Sequence, residues 1–152
     1  MRALTLYGTG SARLADLTES LGIEERQSFM VLHEAESAEY ERLGPGRFPR
    51  SNWGGVDWTR CERPEQVLVS GEAEAAGLIG TWLSEVSARD SLVVVLWGNL
   101  AVPAVAMTSS SAAAHAEQIL YTSDDLWLFA VDEGVLIEYL HDGRLTLGRV
   151  PD

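Results

Sequence analysis

Lysine is missing from this chain. All 11 of its basic residues are arginines, set against 23 acids and three histidines. Without lysine there is no Schiff-base or pyridoxal chemistry through a protein amine, and no phosphate loop that depends on one. A coding bias toward Ala, Gly and Arg accounts for the absence without invoking function. Positive charge is scarce as well, and the formal net charge is −12. Proteins hold nucleic acid by neutralising its phosphates with Lys and Arg, so nucleic acid is a poor partner here. Anionic membrane surfaces are disfavoured for the same reason.

Cysteine is nearly missing too. Cys61 stands alone, which rules out an intramolecular disulfide and makes the cytoplasm the expected compartment. Paired with His33, His115 or His141 it would make a thiol nucleophile and base, yet no local motif surrounds it. The three histidines form no i,i+4 pair and no Cys/His cluster, so neither a metal nor a cofactor is expected. Long apolar runs are lacking. The opening MRALTLYGTG does not hold the 7–15-residue apolar core of a secretory signal, and the run over 92–97 is too short to span a bilayer.

What is present is a foldable chain. A length of 152 residues fits one domain over 1–152, and 46% hydrophobic content with five Trp supports a sizeable core. A domain of this size buries roughly 68–70% of its unfolded surface. Residues 3–7 read as a strand and 12–21 as a helix. The intervening Gly8-Thr9-Gly10 lacks the third glycine of a dinucleotide loop, since Arg13 stands there. Residues 28–33 read as a strand and 34–43 as an acidic helix. Residues 44–64 are punctuated by Gly and Pro and carry Trp53 and Trp58, for which anchoring into the core is the preferred role. A short strand follows over 66–70, then the clearest helix, 72–88, with apolar positions at helical spacing. The valine-rich run 91–97 reads as a central strand buried on both faces. It is followed by a strand over 102–107 and a helix over 112–120 capped from Thr108 onward.

The last thirty residues hold three apolar runs separated by Asp132-Glu133-Gly134 and Asp142-Gly143, which reads as a three-strand meander. With Asp142-Gly143 as a two-residue type I′ turn, Leu140 opposes Leu145, Glu138 opposes Leu147 and Leu136 opposes Arg149. Glu138 is then expected as an edge carboxylate reaching water. The expected architecture is α+β: a mostly antiparallel sheet ending in the meander, with helices packed on one face.

No catalytic motif is present, and no catalytic residue is assigned. Ser109–Ser111 is not a Gly-x-Ser-x-Gly elbow. Asp124-Asp125 with Asp132-Glu133 lacks the spacing of a calcium loop. From Asp90 through Asp142 there are eight acids and no Lys or Arg, so charge points to a basic protein partner. The stretch Asp124–Val150, with Asp124-Asp125 before a Trp-containing strand, Ile137-Glu138-Tyr139, and His141-Asp142-Gly143 before a last strand, resembles the closing hairpins of small bacterial immunity proteins of contact-dependent and other polymorphic toxin systems. The resemblance implies a cytoplasmic protein that occludes the active site of a toxin domain, of nuclease or deaminase type. The candidate contact residues are Glu34, Glu36, Glu39, Glu41, Trp53, Trp58, Asp124, Asp125, Trp127, Asp132 and Glu133. Two other classes stay open: a small enzyme using Glu138, Tyr139 and His141, and an acidic duplex-mimicking regulator. The oligomeric state is not readable.

Overall fold

The computed structural model describes residues 6–152. Seven strands form one antiparallel sheet: β1 (Met30–Val31), β2 (Glu65–Leu68), β3 (Leu92–Trp97), β4 (Val105–Thr108), β5 (Leu126–Ala130), β6 (Val135–Tyr139) and β7 (Arg144–Arg149). Their spatial order is β1-β4-β3-β5-β6-β7-β2. β3 is an interior strand because its side chains from Val93 to Trp97 are apolar on both faces and all buried. β4 and β5 flank β3 on opposite sides, so the chain must cross over between them. α5 (Ser109–Ala114) and α6 (Ala116–Thr122) make that crossing.

Those two helices lie on the same face as α1 (Ala15–Ser20) and α4 (Glu72–Val86). Leu17, Ile79, Trp82, Ile119, Val95, Leu128, Ile137 and Tyr139 are among the residues of the core between them and the sheet. The α+β class with an antiparallel sheet is therefore as the sequence reads, although the helices are not confined to one face. The opposite face is covered as well, by α3 (Glu34–Leu43) and the irregular residues 44–64. Phe48, Val56 and Trp58 pack there on Phe129 and Leu136, with Tyr40 and Leu43 beside them.

Several elements differ from expectation for local reasons. Residues 3–5 of the first expected strand lie outside the described residues, and Tyr7 already begins a turn. A short helix, α2 (Ile23–Ser28), was not read from the sequence. Ser28 closes it and His33 caps α3, so only two residues between them pair as strand. The helix expected over 112–120 starts at Ser109 and is broken at His115. α3 has the bounds expected of it, with the His33 imidazole accepting from the Glu36 N–H in a reciprocal cap.

The meander forms, but its last register is one residue from the expected one. Glu138 pairs with Thr146 and Tyr139 with Leu145. The cause is the turn. Gly143 donates to the Leu140 carbonyl and Leu140 to Arg144, which gives a three-residue loop, and only Gly143 takes positive φ (+96°). This is a type I turn with a glycine bulge, so Asp142 need not adopt the left-handed conformation. Its carboxylate instead accepts from the Arg144 N–H. The shift places Leu145 beside Tyr139 in the helix-side core and Thr146 beside Glu138.

Gly143 is further constrained by β2, because a Cβ there would sit 2.6 Å from the Val69 carbonyl oxygen. Gly143→Ala is expected to lower stability by about 1–3 kcal/mol, from left-handed strain and displacement of the β2 end. Urea denaturation measures this, and an unchanged midpoint would contradict the turn assignment.

Candidate partner-binding site

Residues 44–64 contain little regular structure: one-turn helices at Pro45–Arg47 and Trp58–Arg60 and an isolated bridge between Arg50 and Val56. Such a segment brings backbone donors against the sheet that need acceptors. Glu138 supplies them. Period-two alternation along β6 turns it toward this face, where its residue exposure is only 2%. One carboxylate oxygen accepts from the Trp58 indole N–H at 2.9 Å. The other accepts from the Val56 backbone N–H at 3.0 Å and the Trp127 indole N–H at 2.7 Å. The expected edge carboxylate reaching water is thus overturned. Its strand is internal to the sheet, and the loop that covers it comes from some 80 residues away in the chain.

The clasp fixes the back of a groove of about 640 Å³ at the end of the sheet where β3 stops and β5 begins. Trp53 and Gly54 form one wall, Asn99 and Leu100 another, and Asp124, Asp125 and Trp127 a third, with Glu41 of α3 and Glu138 also lining it. Trp53 is 55% exposed. Any Cβ at Gly55 would collide with its ring, so glycine at 55 is what lets the indole fold over the loop. Each of these two tryptophans carries a guanidinium: Arg144 lies 5.5 Å from the Trp53 ring centre and Arg50 4.7 Å from that of Trp127. Arg50 also donates to Glu41 and to the Gly54 carbonyl.

Asp125 has an unusual backbone, with φ +48°. One carboxylate oxygen accepts from both the His141 backbone N–H (2.8 Å) and the His141 imidazole (2.9 Å). That hydrogen bond, followed by the negative charge of Asp125, raises the His141 pKa above its ordinary 6.5.

The structure sorts the candidate residues into groups. Glu41, Trp53, Asp124, Asp125 and Trp127 meet at the groove. Trp58 is internal, packed edge-on against Phe48 at 5.2 Å between ring centres, and holds the loop down from beneath. Glu34, Glu36 and Glu39 stay on α3 outside the groove lining, with Glu39 tied to Arg42 and Glu36 to His33. Asp132 and Glu133 sit in the β5–β6 turn, on the order of 20 Å from Asp125 at the 3.4 Å rise of a strand. Glu133 there accepts from the Ser91 hydroxyl.

The enzyme constellation does not converge. Glu138 faces the loop, Tyr139 faces the helix-side core, and His141 is at the exposed hairpin tip, outside the groove lining. The Cys61 thiol donates to the Asp57 carbonyl, and burial raises its pKa, which favours the unreactive form. Among the described residues no group of three or more His, Cys, Asp or Glu is placed to hold a metal. One cluster was missed by sequence reasoning: His115 bridges Glu25 (2.8 Å) and Ser20 (3.2 Å), joining α1 and α2 to the α5–α6 junction. No spacing in the chain signals it, because its members lie 90 and 95 residues apart.

The family model of CdiI immunity proteins, EcoliA0-like, matches residues 18–148. The chain belongs to this family. None of the curated proteins matches it. A CdiI immunity protein works against a toxin, so the partner of this chain is a protein. The matched span contains α3, the clasped loop and all of the meander but its last residue, and with them the five candidate residues that share the groove. No described helix is long and apolar enough to cross a membrane.

Two outcomes follow from the site geometry. Glu138→Leu strips the acceptor from three N–H groups and is expected to cost about 3–5 kcal/mol, whereas Glu138→Gln, which keeps one acceptor oxygen, is expected to cost roughly half that. Chemical denaturation of both variants checks the order, and a neutral Leu variant would contradict the clasp. The second concerns His141. Its raised pKa means its contribution is present below the ordinary value and lost as pH climbs through the folded one. An NMR titration should place the His141 midpoint above 6.5, and Asp125→Asn should bring it back toward that value.

Proposed function

We propose that this CdiI-family protein receives its toxin at the groove between the clasped loop and the start of β5, and that the bound toxin, a basic nuclease or deaminase domain, has its active site covered. The toxin is inhibited by occupancy; the immunity protein itself turns nothing over. The observation that carries this reading is the meeting of carboxylates from separate elements, Glu41 on α3 and Asp124-Asp125 before β5, with the exposed Trp53 at one concave surface. Tight protein inhibition needs both parts. Complementary charge raises the encounter rate, and a large aromatic residue sealed from water supplies the residence time. A net charge of −12 extends the attraction beyond the contact itself. Enzymes that act on nucleic acid carry basic clefts, so a surface of this sign fits that class of active site. Such a protein belongs in the cytoplasm of the cell it protects.

Co-expression with its cognate toxin domain, followed by titration calorimetry and stopped-flow association, tests the reading. The double variant Trp53→Ala, Asp124→Asn is expected to bind roughly 100-fold more weakly. The wild-type association rate should fall steeply with salt, about tenfold or more between low and physiological ionic strength. Asp132→Asn, at the far end of β5, serves as the control and should leave affinity unchanged. Wild-type affinity in the double variant would refute the groove as the docking surface.

A further inference from the structure

The chemistry of the toxin's inserted residue can be narrowed, on the premise that the groove is where the toxin docks. The lining holds four carboxylates, Glu41, Asp124, Asp125 and Glu138, and one guanidinium, Arg13. Glu138, at the back, makes no direct salt bridge among the described residues: its hydrogen bonds come from three N–H donors, and Arg144 acts on it only through space. Asp124 is exposed at the mouth, and its carboxylate makes no hydrogen bond among the described residues. Anionic ligands are repelled from such a site, and purely apolar ones leave its carboxylates unmatched.

Two features of the walls discriminate between cations. The chain seats its own guanidinium groups on two of the three tryptophans that line the groove, Trp53 and Trp127. Arg50 shows the full pattern, with its plane over Trp127, one nitrogen on the Gly54 carbonyl and another on Glu41 at 3.3 Å. Indole face, carbonyl and carboxylate together suit a planar, multiply donating cation, whereas an ammonium supplies charge without the stacking plane. The second feature is the apolar rim. Trp53 and Leu100, 55% and 61% exposed, flank the acids and match the aliphatic stem that an arginine carries behind its charge. A volume of about 640 Å³ holds one such side chain together with part of the backbone that presents it.

We infer that the groove receives a single arginine from the toxin, its stem against Trp53 and Leu100 and its guanidinium toward Asp124 and Glu41. In the free protein Arg50 and Arg144 keep the indole faces covered. The incoming arginine adds to this arrangement on the Asp124 side, which those two residues leave open.

The five tryptophan indole N–H signals make the test direct. Trp53→Phe identifies the Trp53 signal in a nitrogen-15 spectrum. The probes are the capped tripeptides Gly-Arg-Gly and Gly-citrulline-Gly, the second an uncharged isostere. The arginine peptide is expected to move the Trp53 signal saturably at millimolar concentration, the citrulline peptide to leave it in place, and Glu41→Gln with Asp124→Asn to weaken the response about tenfold. Equal response to both peptides, no saturable response, or an unchanged response in the double variant overturns the inference. The intact toxin domain separates this from the premise. A toxin that binds wild type and double variant equally removes the groove as docking surface. A toxin that depends on the groove while the arginine peptide elicits nothing removes only the arginine.

Discussion

A single buried carboxylate holds this molecule's working face together. Residues 44–64 cannot form sheet or long helix, because Gly44, Pro45, Gly46, Pro49, Gly54 and Gly55 interrupt every regular run. Left alone such a segment would stay solvated and mobile. Glu138 gives it an acceptor at three points, and the gain is cooperative: the same two oxygens that satisfy Val56 and Trp58 also orient the Trp127 indole at the groove wall. Loop, sheet and groove wall are thereby one unit. Burying a carboxylate is costly, and this one is stabilised chiefly by three N–H donors, with the Arg144 guanidinium acting from further away.

The two faces of the sheet divide the labour. The helix-side face is mostly aliphatic and closely packed, with Leu17, Ile79, Ile119 and Leu145 all fully buried and Trp82, Trp97 and Tyr139 among them. It supplies the packed core. The other face carries aromatic residues, hydrogen bonds from side chain to backbone, and the irregular loop. Binding surfaces are commonly built this way, on loops positioned by a rigid scaffold. The turn after β6 connects the two. Its glycine bulge sets the register that points Tyr139 and Leu145 inward and leaves Glu138 opposite Thr146, so a residue at the chain's end decides how a loop in its middle is held.

Much of the architecture was legible because it is local. The bounds of α3 follow from an acidic run and a Gly-Pro-Gly stop, and β3 follows from three consecutive valines. The meander followed from two turn signals, but its register did not, because Asp-Gly serves two-residue and three-residue loops alike. Residues distant in sequence were opaque. Nothing near Glu138 announces that Val56 and Trp58 will come to it, and nothing near His115 announces Glu25. The candidate acids were chosen by charge density alone, which cannot tell the two ends of β5 apart. Hence Asp124 and Asp125 reached the groove while Asp132 and Glu133 were carried to the opposite end. The likeness to immunity proteins was visible only in the closing hairpins. The family match reaches upstream to residue 18, into helices whose composition is unremarkable and whose kinship is not apparent to residue-level reasoning.

The central claim is that the surface built around the Glu138 clasp is the surface the toxin covers. Hydrogen–deuterium exchange of the protein alone and in complex with its toxin domain reads this without any substitution. The account predicts slowed exchange on binding at residues 51–56, 98–101 and 123–127, with α4 and the β5–β6 turn unchanged. Protection confined to α4 or to the turn at Asp132, with the groove segments exchanging as in the free protein, would contradict it.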